Sequence, residues 1–342
     1  MAPRRGAFVA LLALALSVAL SGCLCGRGAV NSSDSLRWFL FSNFGAQRIC
    51  PEMTKRGVPL KLALLGASSI GRFFPAQCGV RVNDAARTIA VDVTGSGYAV
   101  LPFTRRVGFY AGLSVEYAMD FRLEEDATYV WGKYQRLLTA PDLRLLGVEN
   151  QMVSLATQTP AGDLATLLGR GIIEGELAKG FTVVRTDDGD DFALTHLEPP
   201  EKPKRQFASG KDRVVVMSDQ VELRGATRDY LGPFEVARKD AAAVLKLRVQ
   251  GPQLDFFLVD KGLGDAWRQP YERAFPIGPP PGPALTYGQA PPGDTLRSFA
   301  LNPGLYYLVV ENRSPAPVAA LGVALPFEPV ATLQYSVEIG DR

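Results

Sequence analysis

The side chains in this chain that could do catalysis stand in the wrong company. His196 is the sole imidazole, and a histidine base needs a nucleophile and an orienting acid beside it. It sits next to Leu197 in a strand-like stretch, so a structural histidine is the better reading. Gly66-Ala67-Ser68-Ser69-Ile70-Gly71 has one residue too many for a Gly-x-Ser-x-Gly nucleophile elbow and reads as a turn. Gly169, Gly171 and Gly175 have the wrong last spacing for a dinucleotide loop and fall inside a predicted helix. Asp187, Asp188, Asp190 and Asp191 flank Gly189. Hard oxygen ligands in a tight turn suit calcium, yet the other ligands of a calcium loop are missing, and a solvated Asp-Gly hairpin tip explains the same residues. Glu124 and Glu125 share a turn without the cleft that paired glycosidase acids need. The cysteine spacings match no zinc motif. The expectation is a protein with no catalytic set, no metal and no cofactor.

One thiol stands in complete chemical surroundings. Arg4 and Arg5 precede an apolar run from Ala7 to Leu20, and Leu20-Ser21-Gly22 leads into Cys23. This stretch resembles the lipobox of bacterial lipoproteins. The resemblance implies that Cys23 is alkylated by diacylglycerol, that the chain is cut before it, and that the new amine is acylated with a palmitate-type chain. Leu24 is not the aspartate tied to inner-membrane retention, so the resemblance implies an outer-membrane anchor facing the periplasm, with the cell surface as a variant. An ordinary secretory signal with a chance cysteine is the bland alternative. A spanning helix is a poor one, because a run of 14 residues falls short of the roughly 20 needed to cross the hydrocarbon core. The arginine pair also belongs to twin-arginine signals, but the pattern around it is incomplete.

Removing residues 1–22 takes away two of the 37 basic side chains and none of the 35 acidic ones, leaving a balanced mature chain. No counterion release then drives nucleic-acid binding, and no polybasic patch attracts anionic lipid. After Cys23 is spent, Cys25, Cys50 and Cys78 remain, an odd number in an oxidising compartment. A Cys50–Cys78 bridge would contribute about 3.5 kcal/mol through loop closure, leaving Cys25 free.

The elements follow from periodicity. Residues 23–33 read as a lipid-anchored tether. Asn31 to Ser35 offer N-caps for a helix to about Lys55, with Leu36, Phe39, Leu40, Asn43, Phe44 and Gln47 at helical spacing beside Trp38 and Phe41. That face packs on the core or lies at the lipid surface. From Arg87 the period becomes two. Strands are predicted at 88–94, 98–106, 108–123 and 127–138, with turns at Gly95-Ser96-Gly97, Val107-Gly108 and Glu124-Glu125-Asp126. The third strand sets Gly112, Ser114 and Ala118 on a small, polar face and Leu113, Val115 and Tyr117 on an apolar one. A helix over 160–179, capped by Thr159 or Asp163, with Leu164, Leu168 and Ile172 on one side and Gly180 ending it, is expected to cover the sheet. A hairpin follows at 181–185 and 192–197. Residues 34–198 thus read as an α+β domain, an antiparallel sheet with a covering helix.

Pro199-Pro200-Glu201-Lys202-Pro203-Lys204 opens a linker over 199–207. Residues 208–342 read as strands almost throughout, an all-β sandwich, with a proline-rich excursion between Phe275 and Asp294. Within it, Leu254 to Asp260 and Asn302 to Val310 resemble the two core strands of bacterial pre-peptidase C-terminal-type jelly rolls. That resemblance implies a non-catalytic module binding a protein or glycan surface. The function expected is therefore a lipid-anchored envelope protein that binds or scaffolds. The alternative is a carrier or sensor of a lipid or other hydrophobic ligand, with Gly112, Ser114 and Ala118 making room and Leu164, Leu168 and Ile172 forming the lid.

Overall fold

The computed structural model describes residues 26–61, 68–101, 105–149, 175–186, 189–315 and 329–341. Helix comes first: residues 26–32, then α1 (Asp34–Leu40), a π-turn (Phe41–Gly45) and α2 (Ala46–Thr54). Ser33 caps α1, its hydroxyl accepting from the Leu36 amide. The stretch expected as a tether is docked, since the Asn31 amide side chain donates to the Leu123 carbonyl and accepts from the Leu123 N–H. A short β1 (Val58–Lys61) leads to four long strands, β2 (Ser69–Asn83), β3 (Thr88–Leu101), β4 (Arg105–Leu123) and β5 (Thr128–Val148). A helical turn, α3 (Gly175–Leu177), precedes the hairpin of β6 (Phe181–Thr186) and β7 (Gly189–Ala193).

The chain continues through β8 (Val214–Leu223), β9 (Thr227–Val236), β10 (Ala241–Gln250) and β11 (Leu254–Asp260) to α4 (Lys261–Glu272). Then come β12 (Thr286–Ala290), β13 (Gly293–Leu301), β14 (Gly304–Asn312) and β15 (Ala331–Asp341). The protein is mostly β, in two sheets. The larger runs β13-β10-β15-β8-β2-β3-β4-β5-β6-β7, with β1 beside β2; the smaller runs β12-β11-β14-β9. Every pairing is antiparallel except the join of β2 to β8 at Ser69 and Val221, where the two halves of the chain meet in one sheet. The stretch 199–207 between the halves is also held, by Arg205 to Asp191 at 2.6 Å and by the Gln206 amide on Ser218 Oγ.

The layers follow from which faces are apolar. Strands β8, β10, β13 and β15 pack on one face of the smaller sheet through Leu231, Phe234, Phe256, Leu258, Leu308 and Val310. Its other face, Tyr230, Phe257, Val259, Tyr307 and Val309, meets Trp267 and Tyr271 of α4, and Phe74 and Tyr98 of the larger sheet close the same cluster. Strands buried on both sides need apolar residues at successive positions, which is why β11 reads Phe-Phe-Leu-Val over residues 256–259. The paired segments singled out in the sequence, β11 and β14, are neighbours, with Phe257 opposite Val309. A third core lies on the far face of β1–β5, under Phe41 of the π-turn and Ala46 of α2.

Several expectations are corrected. Gly95-Ser96-Gly97 and Val107-Gly108 are strand interior, and Ser69 to Gly71 begin β2 rather than forming a turn. These glycines serve close approach. A Cβ at Gly108 would lie 1.4 Å from the Glu272 carbonyl oxygen, and one at Gly147, its partner across the β4–β5 ladder, 2.3 Å from that of Arg273. The pair forms a bare floor for the end of α4. Helix α4 itself went unread because Gly262, Gly264 and Pro270 argue against helix. Its signal is Asp260, which caps it by accepting from the Leu263 amide at 2.9 Å, and Gly264 lets it lie on the Tyr307 ring. The second strand of the hairpin begins earlier than expected, at Gly189, which pairs with Thr186.

Cys50 and Cys78 form the expected disulfide, tying α2 to β2 with a Cα–Cα distance of 5.3 Å. Replacing both with alanine is expected to cost about 3.5 kcal/mol, read as a lower urea midpoint with a somewhat steeper slope, because the uncrosslinked unfolded chain exposes more surface.

Candidate functional site

Charged groups gather where α4 meets both sheets. Arg72 on β2 donates from Nε to Asp229 Oδ1 on β9 at 3.0 Å and from its terminal nitrogen to the Tyr335 hydroxyl on β15 at 3.1 Å. The Tyr98 hydroxyl donates to the same Asp229 oxygen and accepts the Tyr230 N–H at 2.8 Å. All of these side chains are buried. Arg268 of α4 pairs with Glu272, lies 4.0 Å over the Phe74 ring, and reaches Ser96 of β3. Arg106 of β4 lies 4.1 Å over Tyr271 and donates to the Phe275 carbonyl. Arg228 lies 3.9 Å over Trp267 and pairs with Glu311 at 2.9 Å. Guanidinium planes stacked on rings keep their charge with little water, which lysine could not do in these places.

The electrostatics follow from that dryness. Burial opposes the Arg72 charge, but Asp229 together with Tyr335, Tyr98 and Asp219 outweighs it and holds the guanidinium protonated above the usual arginine range. Burial pushes the Tyr98, Tyr230, Tyr271, Tyr307 and Tyr335 hydroxyls above the ordinary tyrosine value. Burial also raises the Glu272 carboxyl, against the pull of Arg268. No side chain in this seam combines an activated nucleophile with a base. The geometry suits a rigid ionic and aromatic weld.

A second feature lies on the far face of the sheet. An apolar crevice runs between α2, β1–β4 and α3, lined by Met53, Leu60, Phe73, Val91, Val93, Leu113, Val115, Tyr117 and Leu177. Its cavity volume is only about 30 Å3, room for a water molecule or two. Glu176, buried and paired with Lys179 at 2.6 Å, is the sole charged residue on its wall among the described residues. The sheet residues that line it are themselves almost wholly buried, so it is a narrow slot rather than an open basin.

The residues singled out in the sequence are dispersed. Cys23, Leu164, Leu168, Ile172, Asp187 and Asp188 lie outside the described residues. Gly112, Ser114 and Ala118 alternate with Leu113, Val115 and Tyr117, so the slot is lined by the bulky apolar face of β4 and the small residues point away from it. Asp190 belongs to β7, and Asp191 is spent on Arg205. Among the described residues no group of three or more histidine, cysteine or acidic side chains could hold a metal. His196 stands against the Trp131 ring and 3.4 Å from Glu198. Ser69 Oγ donates to the Gly71 carbonyl at 2.7 Å and Ser68 Oγ accepts from Gln220, with no imidazole at either. The seam was missed by sequence reading. Its signal was charge interrupting apolar runs, as in Gly71-Arg72-Phe73-Phe74 and Arg228-Asp229-Tyr230-Leu231.

No protein-family model matches the sequence, and no curated protein matches it.

Arg72→Met strands Asp229 in the dry seam and is expected to cost about 3–5 kcal/mol, with much of that recovered in Arg72→Met/Asp229→Leu. Denaturant unfolding of both variants checks it. The tyrosines set an alkaline limit. Unfolding releases hydroxyls that ionise near pH 10 while the folded state keeps their protons, so above about pH 10 the folded form binds more protons and stability falls as pH rises. The urea midpoint should hold steady from mildly alkaline pH up to about pH 10 and fall above it, and tyrosinate absorbance should appear together with unfolding.

Proposed function

We propose that the protein is a lipid-anchored module of the cell envelope, held by Cys23 in the outer membrane and facing the periplasm, that binds or scaffolds a partner without a reaction of its own. On this reading residues 34–198 act as an α+β unit beside the anchor and residues 208–342 as a sandwich unit carried by it. The observation that carries the reading is mechanical. The disulfide clamps α2 to β2, and β2 carries Arg72 into the seam, so a lipid at the N-terminal end would hold both halves through covalent and buried ionic contacts. A disulfide also suits the oxidising side of a membrane. Each charged group of the seam holds at least one partner in the protein, although Asp229 Oδ2, Arg228 Nε, Arg268 Nε and two nitrogens of Arg106 are buried without a hydrogen bond among the described residues. That dense pairing favours a frame over a catalyst.

The apolar slot favours a second reading, a carrier or sensor of a hydrophobic ligand. Walls of Val91, Val93, Leu113 and Val115 have the apolar chemistry for an acyl chain but would have to part to admit one, with Glu176 and Lys179 at the α3 side.

Both readings are tested by mass spectrometry of the mature protein taken from its own host's envelope, under denaturing and native conditions. The expected result is an N-terminal Cys23 carrying diacylglycerol and an acyl group; an unmodified chain overturns the anchor. A stoichiometric co-purified lipid supports the carrier, and a clean native mass supports the scaffold.

A further inference from the structure

The helical segment that follows Cys23 turns its aromatic face outward. Phe39 is 56% exposed, Phe44 66% and Leu36 36%, and Asn43 and Gln47 beside them are exposed as well. The residues that pack inward are instead Arg37, Phe41 and Ala46. Arg37 fixes that rotation, pairing with Asp120 at 2.6 Å and with Asp34. The π-turn matters too, because i to i+5 bonding advances each residue less around the axis and brings Phe44 nearer the row of Phe39. Large apolar groups left in water at this spacing form the apolar side of an amphipathic surface helix.

The occupant follows from where the helix is tied. Ten residues separate Cys23 from Asp34, and 26–32 of them are helical. At helical and extended rises that span is only about 20 Å, and Asn31 is fastened to β4 at its end. Two acidic and two basic side chains balance within 34–54, Asp34 and Glu52 against Arg37 and Arg48, so the contact would be apolar rather than electrostatic. We infer that the face of Leu36, Phe39 and Phe44 rests in the headgroup and upper acyl region of the bilayer that holds the anchor, fixing the orientation of the body on the membrane. This inference rests on the lipid anchor proposed above.

The test uses the full mature protein reconstituted in vesicles of phosphatidylethanolamine and phosphatidylglycerol, with and without lipid brominated on the acyl chain. Phe44→Trp places a reporter on the face, and Tyr287→Trp, half exposed on β12, is the control. The expected result is that the added fluorescence of Phe44→Trp falls to about half or less with brominated lipid, unchanged by high salt, while that of Tyr287→Trp does not. Equal fluorescence with and without bromine in an acylated protein overturns the membrane face and leaves the anchor standing. Failure to float with the vesicles, with no acyl mass on Cys23, overturns the anchor itself. Hydrogen exchange of wild-type residues 34–54 gives an independent reading: slowed exchange on vesicles supports the contact, and unchanged exchange overturns it.

Discussion

The fold depends on a guanidinium and a carboxylate removed from water together. Arg72 and Asp229 come from different halves of the chain and are 3% and 5% exposed at their side chains. Neither could be buried alone, since an uncompensated interior charge costs several kcal/mol. Around them Tyr98, Tyr230 and Tyr335 supply hydroxyls and amides, and Arg106, Arg228 and Arg268 lie on rings. A hydrocarbon interface would be satisfied by many slightly shifted packings. Directional contacts at both ends of α4 accept far fewer, so the seam sets how the halves stand to each other as well as that they adhere.

That seam explains the order of layers. The smaller sheet is apolar on both sides because β8, β10, β13 and β15 cover one face and α4 the other. Helix α4 in turn needs β4 and β5 without side chains at Gly108 and Gly147, where its last carbonyls arrive. The far face of β1–β5 is left for a separate core under α1, the π-turn and α2, closed by the disulfide.

Local chemistry was legible in the sequence and long-range chemistry was not. Ser33 as a cap, Gly180 as a helix end with a positive φ, the Cys50–Cys78 pair and the strands at β10, β11, β14 and β15 were readable because each is decided by a few adjacent residues or one spacing. Strand β2 was not, because its first seven residues are buried without alternation and give no period. The glycines of β3 and β4 read as turns, since the backbone that presses on them belongs to distant residues. The facing of the first helix was open for the same reason: an aromatic row looks alike whether it meets a core or a membrane, and the rotation is decided by Arg37 finding Asp120, 83 residues away.

The bare floor at Gly108 and Gly147 has a consequence for the order of events in the life of the chain. Synthesis delivers β4 and β5 long before residues 261–273 exist, and Arg72 waits for Asp229, 157 residues later, and for Tyr335, 263 residues later. Until then a glycine-lined trough stands open beside a buried-type arginine. Contacts of such separation are slow to form and leave sticky intermediates. The N-terminal half therefore cannot finish folding on its own schedule: its completion is timed by the arrival of the C-terminal end, and the interval in between is when the protein most needs protection.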